Sequence, residues 1–349
     1  MSLLLSPLQL KDLPTPPPGK VGWPWTKQAP PLPQYMPNGQ EWPLISIVTP
    51  SFNQDQFLEA TIRSVLLQGY PRIEYIILDG GSTDQSPEII QKYAPYLTFW
   101  VSEPDGGQAA AINRGFCMAT GDLVGWQNSD DYYHHGTFRQ AAELALSYPE
   151  ADVLYGPTTC IDAQGIFLRP YPVSEFTIAD SLPFLNVCNQ AMFFRQKVFA
   201  DGHFLDDRLH HVMDHEFLVR LNLLGYRFVF GPRIAGYFRY HAETKGATAF
   251  RVASDELMRL YAFIYRQPQL SRATHRKAVA CMRSLCLDNF GKLRLDLFRH
   301  GVRQKLQAVG PELADLDLLV KYGLSFLGQD FLDDVKGLKS RLFSRRVQD

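Results

Sequence analysis

From Leu44 the chain alternates short apolar runs with stretches whose apolar residues recur three and four positions apart. The runs Ile45–Thr49, Ile73–Leu78, Leu97–Val101, Leu123–Trp126 and Asp152–Tyr155 are expected to be strands. Between them, Phe57–Leu67, Ser86–Tyr93, Gln108–Ala119 and Thr137–Ser147 are expected to be helices; in the first of these, Leu58, Ile62, Val65 and Leu66 share one face. Strands alternating with helices of this length imply βαβ units and a mainly parallel sheet flanked by helices. After Tyr155 the pattern is mixed, with short strands at Ile166–Arg169, Ala191–Phe194, Phe228–Phe230 and Ala235–Tyr240 and a helix over Val212–Leu224. From about residue 250 the chain reads as helical. Residues 1–43 carry prolines at 14, 16–18, 24, 30, 31, 33 and 37, which exclude helix and sheet. Trp23, Trp25 and Trp42 are unusual for a disordered leader, so this segment is expected to lie as an extended arm on the body. The expected domains are thus the arm (1–43), an α/β domain (44–249) and a helical extension (250–349).

In parallel sheets, ligands bind outside the carboxyl ends of the strands. Three polar clusters fall there: Thr49-Pro-Ser-Phe-Asn53, Asp79-Gly-Gly-Ser-Thr-Asp84 and Asn128-Ser-Asp-Asp131. They point to one shared cleft. Carboxylates such as Asp130 and Asp131 can face a diphosphate only with a divalent cation between them, and Mg²⁺ or Mn²⁺ accepts both kinds of oxygen; an Asp in this position can equally cap a helix. At the second cluster, an Asp can accept from a base N–H or a ribose hydroxyl, or can simply stabilise a β-turn. The glycine turn Asp105-Gly-Gly-Gln108 enters a helix and suits an anion. In the helix from 212, Met213, Phe217, Leu221 and Leu224 form an apolar stripe, while Asp214 and Glu216 lie off it near the helix start. Asp214 there can serve as a general base or merely complement the helix dipole. Of the histidines, His134-His135 and His210-His211 flank these motifs, and His241 ends a strand that returns to the cleft, where it could ligate a metal or touch phosphate.

Composition changes the picture little. The 349 residues are 46% hydrophobic and 20% charged, with a formal net charge of -1. This suits a large α/β domain with an appendage and advertises no nucleic-acid-binding face. Cys117, Cys160, Cys188, Cys281 and Cys286 are widely spaced and read as reduced thiols of a cytosolic protein. The N-terminus lacks the basic start of a signal peptide, and no run of about 18 apolar residues suggests a membrane span. Leu313 to Phe343 carries Leu316, Leu318, Leu319, Leu324, Phe326 and Phe331 beside Lys336, Lys339, Arg341, Arg345 and Arg346. Such a stretch packs on its own domain, mediates a dimer or touches a membrane surface.

Taken in order, Ser46–Asn53, Glu74–Asp84, Ala119–Asp131 and Asp214 with Glu216 and Arg220 resemble the family 2-type inverting glycosyltransferases of GT-A fold. The resemblance covers about residues 44–245. It implies a Rossmann-like α/β sheet and transfer of a sugar from a nucleotide-diphosphate donor to a hydroxyl, in cell-surface polysaccharide or glycan synthesis. It implies that Pro50, Phe52 and Asn53 line the nucleotide pocket, that Asp79 accepts from the base, and that Asp131 sits beside Asp130 facing the donor sugar. Asp130, with His241, would hold Mn²⁺ or Mg²⁺, Asp214 would be the catalytic base, and Gln190 would stand on the acceptor side. The implied partners are a nucleotide-sugar and a glycan or lipid-linked acceptor; the cysteines point to a cytoplasmic location, and the C-terminal tail, where it does not pack on its own domain or form a dimer contact, would make a peripheral contact at the inner membrane face. Two positions depart from the family: Asn128 stands where an Asp is usual, and Gly80 where a second Asp is frequent. The first leaves open a non-catalytic nucleotide-sugar-binding module. A nucleotidyltransferase is disfavoured, because the first βα turn, Pro-Ser-Phe-Asn-Gln, lacks the glycines and the basic residue such an enzyme needs.

Overall fold

The computed structural model describes residues 3–242, 250–310 and 315–327. The chain divides into two compact units, Met1–Ala247 and Thr248–Asp349.

In the first unit, a seven-stranded sheet is built from β1 (Ile45–Ser51), β2 (Ile73–Asp79), β3 (Phe99–Ser102), β4 (Leu123–Trp126), β6 (Val153–Tyr155), β9 (Met192–Arg195) and β10 (Phe228–Phe230), in the order β10-β6-β9-β4-β1-β2-β3. Helices α1 (Asp55–Leu66), α2 (Ser86–Tyr93), α3 (Gln108–Met118) and α4 (Thr137–Ser147) connect its strands. Every residue of β1 and β2 is buried, as expected of strands covered on both faces. The sheet is mainly parallel, as the alternating pattern predicts. The exception is β9, which runs antiparallel between β4 and β6. Strand β3 begins two residues later than its apolar run, because the 3₁₀ turn Ala94–Tyr96 prolongs α2. A second sheet, in the order β5-β11-β7-β8, joins β5 (Tyr132–Tyr133), β7 (Thr158–Ile161), β8 (Phe167–Pro170) and β11 (Gly236–Arg239). The short α5 (Gln196–Ala200) and the longer α6 (Met213–Leu223) complete the unit.

The proline-rich segment lies against this body. Leu4 bridges Ile73, Leu13, Met36 and Trp42 join the core, and the Trp23 indole donates to the Tyr133 carbonyl at 2.8 Å. The main clamp is Arg63 of α1, which is 0% exposed. Its guanidinium donates to the carbonyls of Pro14 (2.8 Å), Pro24 (3.1 Å) and Trp25 (3.1 Å), and to the Tyr93 hydroxyl (3.0 Å). Prolines cannot donate to a ladder, so an arm of this composition is tied down through its carbonyls instead.

The second unit is helical: α7 (Phe250–Tyr265), α8 (Arg272–Gly291), α9 (Leu295–Val309) and α10 (Leu316–Leu324). Met258, Ile264, Met282, Cys286, Phe298 and Val302 form its interior. Ser271 caps α8, its hydroxyl accepting from Thr274 N–H at 3.1 Å. All five cysteines are free thiols, and only Cys117 is exposed. Leu318 is buried, whereas Leu316, Leu319 and Phe326 are exposed; Phe331 and the basic residues from Lys336 onward lie outside the described residues. No helix among the described residues is long and apolar enough to cross a membrane.

Replacing Arg63 by Met strands three arm carbonyls. The expected result in denaturant unfolding is a loss of about 3 kcal/mol or more, with new protease sensitivity before residue 43. A loss below about 1 kcal/mol would show that the arm does not depend on this clamp.

Candidate active site

The carboxyl ends of β1, β2 and β4 open into one cleft of about 750 Å³. Pro50, Ser51 and Phe52 come from β1 and its following turn, Gly80 follows β2, and Asn128 to Asp131 follow β4. Asp105, Gly107 and Gln108 reach in from the start of α3. His210, His211, Met213 and Asp214 enter at the start of α6, and Asn189 and Gln190 precede β9. The three strand-end clusters therefore share one space.

The acidic loop after β4 is held from several directions. Asp131 is 1% exposed. Its Oδ1 accepts from the Arg239 backbone N–H (2.8 Å), and its Oδ2 from Gln190 Nε2 (2.6 Å) and Asn128 Nδ2 (3.2 Å). Burial, and then the adjacent Asp130 charge, push its carboxyl well above the usual range, against the pull of these three donors. The Arg239 guanidinium donates to the carbonyls of Asp130 (2.8 Å) and Ala163 (2.9 Å), and stacks on Phe57 (4.7 Å) and Tyr132 (5.3 Å). On the other side, the Thr61 hydroxyl is shared between the carbonyls of Ser129 and Asp131. Asn128 accepts from Gln108 Nε2 (2.8 Å) while donating to Asp131. Its amide thus braces the loop, a task a carboxylate could not perform beside Asp131.

Asp130 opens onto the cleft, and its Oδ2 stands 3.0 Å from His241 Nε2. His241 lies behind it, packed on the Phe57 ring at 4.7 Å. Asp130 Oδ2 and His241 Nε2, hydrogen-bonded to each other, are the carboxylate oxygen and imidazole nitrogen that could turn to a divalent cation of the Mn²⁺ or Mg²⁺ kind. Among the described residues no cluster of three His, Cys, Asp or Glu side chains forms a metal site.

The other residues singled out from the sequence are divided. Asp214 lines the cleft in the first turn of α6, its Oδ1 accepting from the His215 N–H at 2.7 Å. Glu216 pairs instead with Arg220 (2.8 Å), which also donates to the Phe204 carbonyl, and neither lines the cleft. Gln190 is on the cleft floor, bonded to Asp131. Pro50 and Phe52 line the cleft, and Phe52 is 60% exposed. Asn53 does not line it. With φ of 51°, Asn53 ties the two loops together, its side-chain oxygen accepting from Thr83 N–H and its N–H donating to Ser82 Oγ. Asp79 is also outside, 2% exposed. Its two oxygens accept from Ser82 N–H (2.9 Å), Ser82 Oγ (2.6 Å) and Ser102 Oγ (2.6 Å), so the carboxylate is committed to its own turn. Gln108 and Arg239 were not legible as site residues: each acquires its role only through partners far away in sequence.

The mainly parallel open sheet with an acidic loop at its carboxyl edge matches the GT-A fold. Solved structures agree. The chain aligns with S. aureus TarS in complex with UDP-GlcNAc at TM-score 0.58 and 19% identity, over 76% of this chain and 81% of that one. It aligns with mannosyltransferase PcManGT from Pyrobaculum calidifontis, in complex with GDP-Man and Mn²⁺, at TM-score 0.52 and 17% identity, over 88% and 87%. The chain belongs to glycosyl transferase family 2, whose sequence model matches residues 46–223. Among its relatives, an uncharacterized glycosyltransferase of Mycobacterium tuberculosis is 41% identical over 106 residues, 30% of this chain and 40% of that protein. TuaG of Bacillus subtilis, which carries the name of a teichuronic acid biosynthesis glycosyltransferase, is 34% identical over 107 residues, 30% and 42%. A PGL/p-HBAD biosynthesis glycosyltransferase of Mycobacterium bovis is 28% identical over 162 residues, 45% and 61%. The chain thus spans about 40 to 61% of the length of these relatives.

Gly236 of β11 lies against the Gln190 backbone, and a Cβ there would sit 2.0 Å from the Gln190 carbonyl oxygen. Gly236→Ala is therefore expected to displace Gln190 from Asp131 and to cost on the order of 2 kcal/mol in unfolding assays; a neutral effect would show that this floor is not tightly packed. His215, beside Asp214, is buried against Ser181 Oγ at 3.0 Å, and burial pushes its imidazole down to about 4. The unfolded chain, titrating near 6.5, binds the proton first on acidification. Between about pH 6.5 and 4 the protein should therefore lose stability relative to His215→Gln, by on the order of 1 kcal/mol per pH unit. Parallel pH–stability curves for the two proteins would contradict this.

Proposed function

We propose that this protein is an inverting glycosyltransferase that moves a sugar from a nucleotide-diphosphate donor to a hydroxyl of a glycan or lipid-linked acceptor. The observation that carries the reading is that Asp130, on the loop after β4, and Asp214, at the start of α6, open into the same cleft across the strand ends. In this reading Asp130 serves the departing diphosphate and Asp214 the approaching acceptor. The sugar nucleotides in TarS and PcManGT support a nucleotide-diphosphate donor. The name of TuaG supports a cell-surface polymer as the product.

In the proposed reaction, Asp214 takes the proton of the acceptor hydroxyl. The oxygen attacks the anomeric carbon from the face opposite the diphosphate, the carbon–oxygen bond to the diphosphate breaks, and the configuration inverts. A single base suffices for this direct displacement. Asp214 lies in the first turn of α6, where the helix dipole favours the ionised carboxylate a base needs. Pro50 and the exposed Phe52 ring give the nucleoside an apolar surface. Asp131 and Gln190 form the floor and hold the acidic loop in place. A divalent cation on Asp130 and His241 would neutralise the diphosphate and stabilise its departure.

Asp214→Asn is expected to lower turnover about 10³-fold while leaving the affinity for nucleoside diphosphate within about twofold. The pair of measurements is the rate of sugar transfer and calorimetric binding. Near-normal turnover in the variant would remove Asp214 from the chemistry.

A further inference from the structure

We propose that Asp105, on the loop between β3 and α3, is the carboxylate that reads the nucleoside of the donor by accepting a hydrogen bond from a base N–H or a ribose O–H. The inference rests on the nucleotide-donor reading above. It concerns which carboxylate performs the recognition, because the residue best placed by sequence, Asp79, is unavailable.

Three observations converge. First, Asp79 is buried, and both its oxygens already accept hydrogen bonds from Ser82 and Ser102. Turning it to a ligand would break bonds that close the β2 turn. Second, Gly80 leaves an opening beside that turn, and Asp105 occupies it. A Cβ on residue 80 would lie 3.1 Å from Asp105 Oδ2 and 3.3 Å from both its Cγ and Oδ1. A side chain at 80 would crowd the carboxylate that Asp105 places there. Third, the carboxylate is oriented. Asp105 Oδ1 accepts from the Gly107 N–H at 2.7 Å, and Oδ2 accepts no protein hydrogen bond among the described residues.

The strand order sets the direction of the donor. β4, β1, β2 and β3 are consecutive neighbours. With the diphosphate at Asp130 after β4 and the acceptor at Asp214, the nucleoside must run the other way, over the end of β1 towards β2. Two strand spacings separate β4 from β2, roughly 10 Å. Asp105, Gly80, Pro50 and Phe52 line this end of the cleft. Phe52 offers a face to the base, and Asp105 Oδ2 offers the acceptor that every nucleoside can meet with an N–H or an O–H.

The test uses the full-length chain and calorimetric binding of UDP and GDP, each with Mn²⁺. For whichever nucleotide the wild type binds, Asp105→Ala is expected to weaken affinity 10- to 100-fold, as loss of a charge-assisted hydrogen bond should. Moving the carboxylate back, in Gly80→Asp combined with Asp105→Ala, is expected to restore at least tenfold of the loss, a recovery that a merely structural role would not give. The 2′-deoxy nucleotide separates the two sources. If the Asp105→Ala loss vanishes with it, the ribose is read; if the loss persists, the contact is to the base or the 3′-hydroxyl. Wild-type binding with an Asp105→Ala effect under twofold would overturn the inference and leave the glycosyltransferase reading standing. Absence of any wild-type nucleotide binding would overturn the donor reading and the inference together.

Discussion

The site depends on a carboxylate that has been taken out of water. Asp131 is buried beside Asp130, where two like charges would ordinarily disperse the loop that carries them. It persists because donors converge on it from three separate parts of the chain: Gln190 before β9, Arg239 at the end of β11, and Asn128 three residues away. Arg239 also supplies a cation near the pair and grips the carbonyl of Asp130. The second sheet can be understood through this requirement, because β11 positions Arg239 and is itself held by β5 and β7.

Once that loop is fixed, the rest of the cleft follows from topology. Parallel β1, β2 and β4 direct their carboxyl ends to one edge, and the reversal of connectivity around β1 opens a crevice there. Antiparallel β9 extends the sheet beyond β4 and brings Asn189 and Gln190 to the same edge. Helix α6 adds Asp214 from the far side. The arm steadies α1, whose Thr61 supports the acidic loop and whose Arg63 holds the arm. Arm and site are thus linked through one helix.

Much of this was legible in the sequence because it is local. The apolar runs of β1, β2 and β4 are strands buried on both faces, and the polar clusters at their ends are where ligands gather. The helix start at Asp214 was legible from the apolar stripe beside it. What escaped was set by distant partners. The antiparallel direction of β9 has no local signature in four residues. Arg239 looks like an ordinary strand-end cation until β11 is paired with β5. Asp79 looks like a ligand-binding residue until Ser102, 23 positions on, is seen to satisfy it. Asn128 looks like a weakened acidic motif until Gln108 and Asp131 are seen on its two ends.

The proposed binding of a nucleotide-diphosphate sugar at Asp130 through a divalent cation is tested most directly by the thermal midpoint of the protein with UDP-, GDP-, dTDP- and CDP-sugars, each with and without Mn²⁺. A ligand that binds the native state raises the midpoint by mass action. The account predicts a rise of several degrees with one nucleotide class, present with Mn²⁺ and lost in Asp130→Ala. No rise with any of the four, or a rise indifferent to both Mn²⁺ and Asp130, would contradict it.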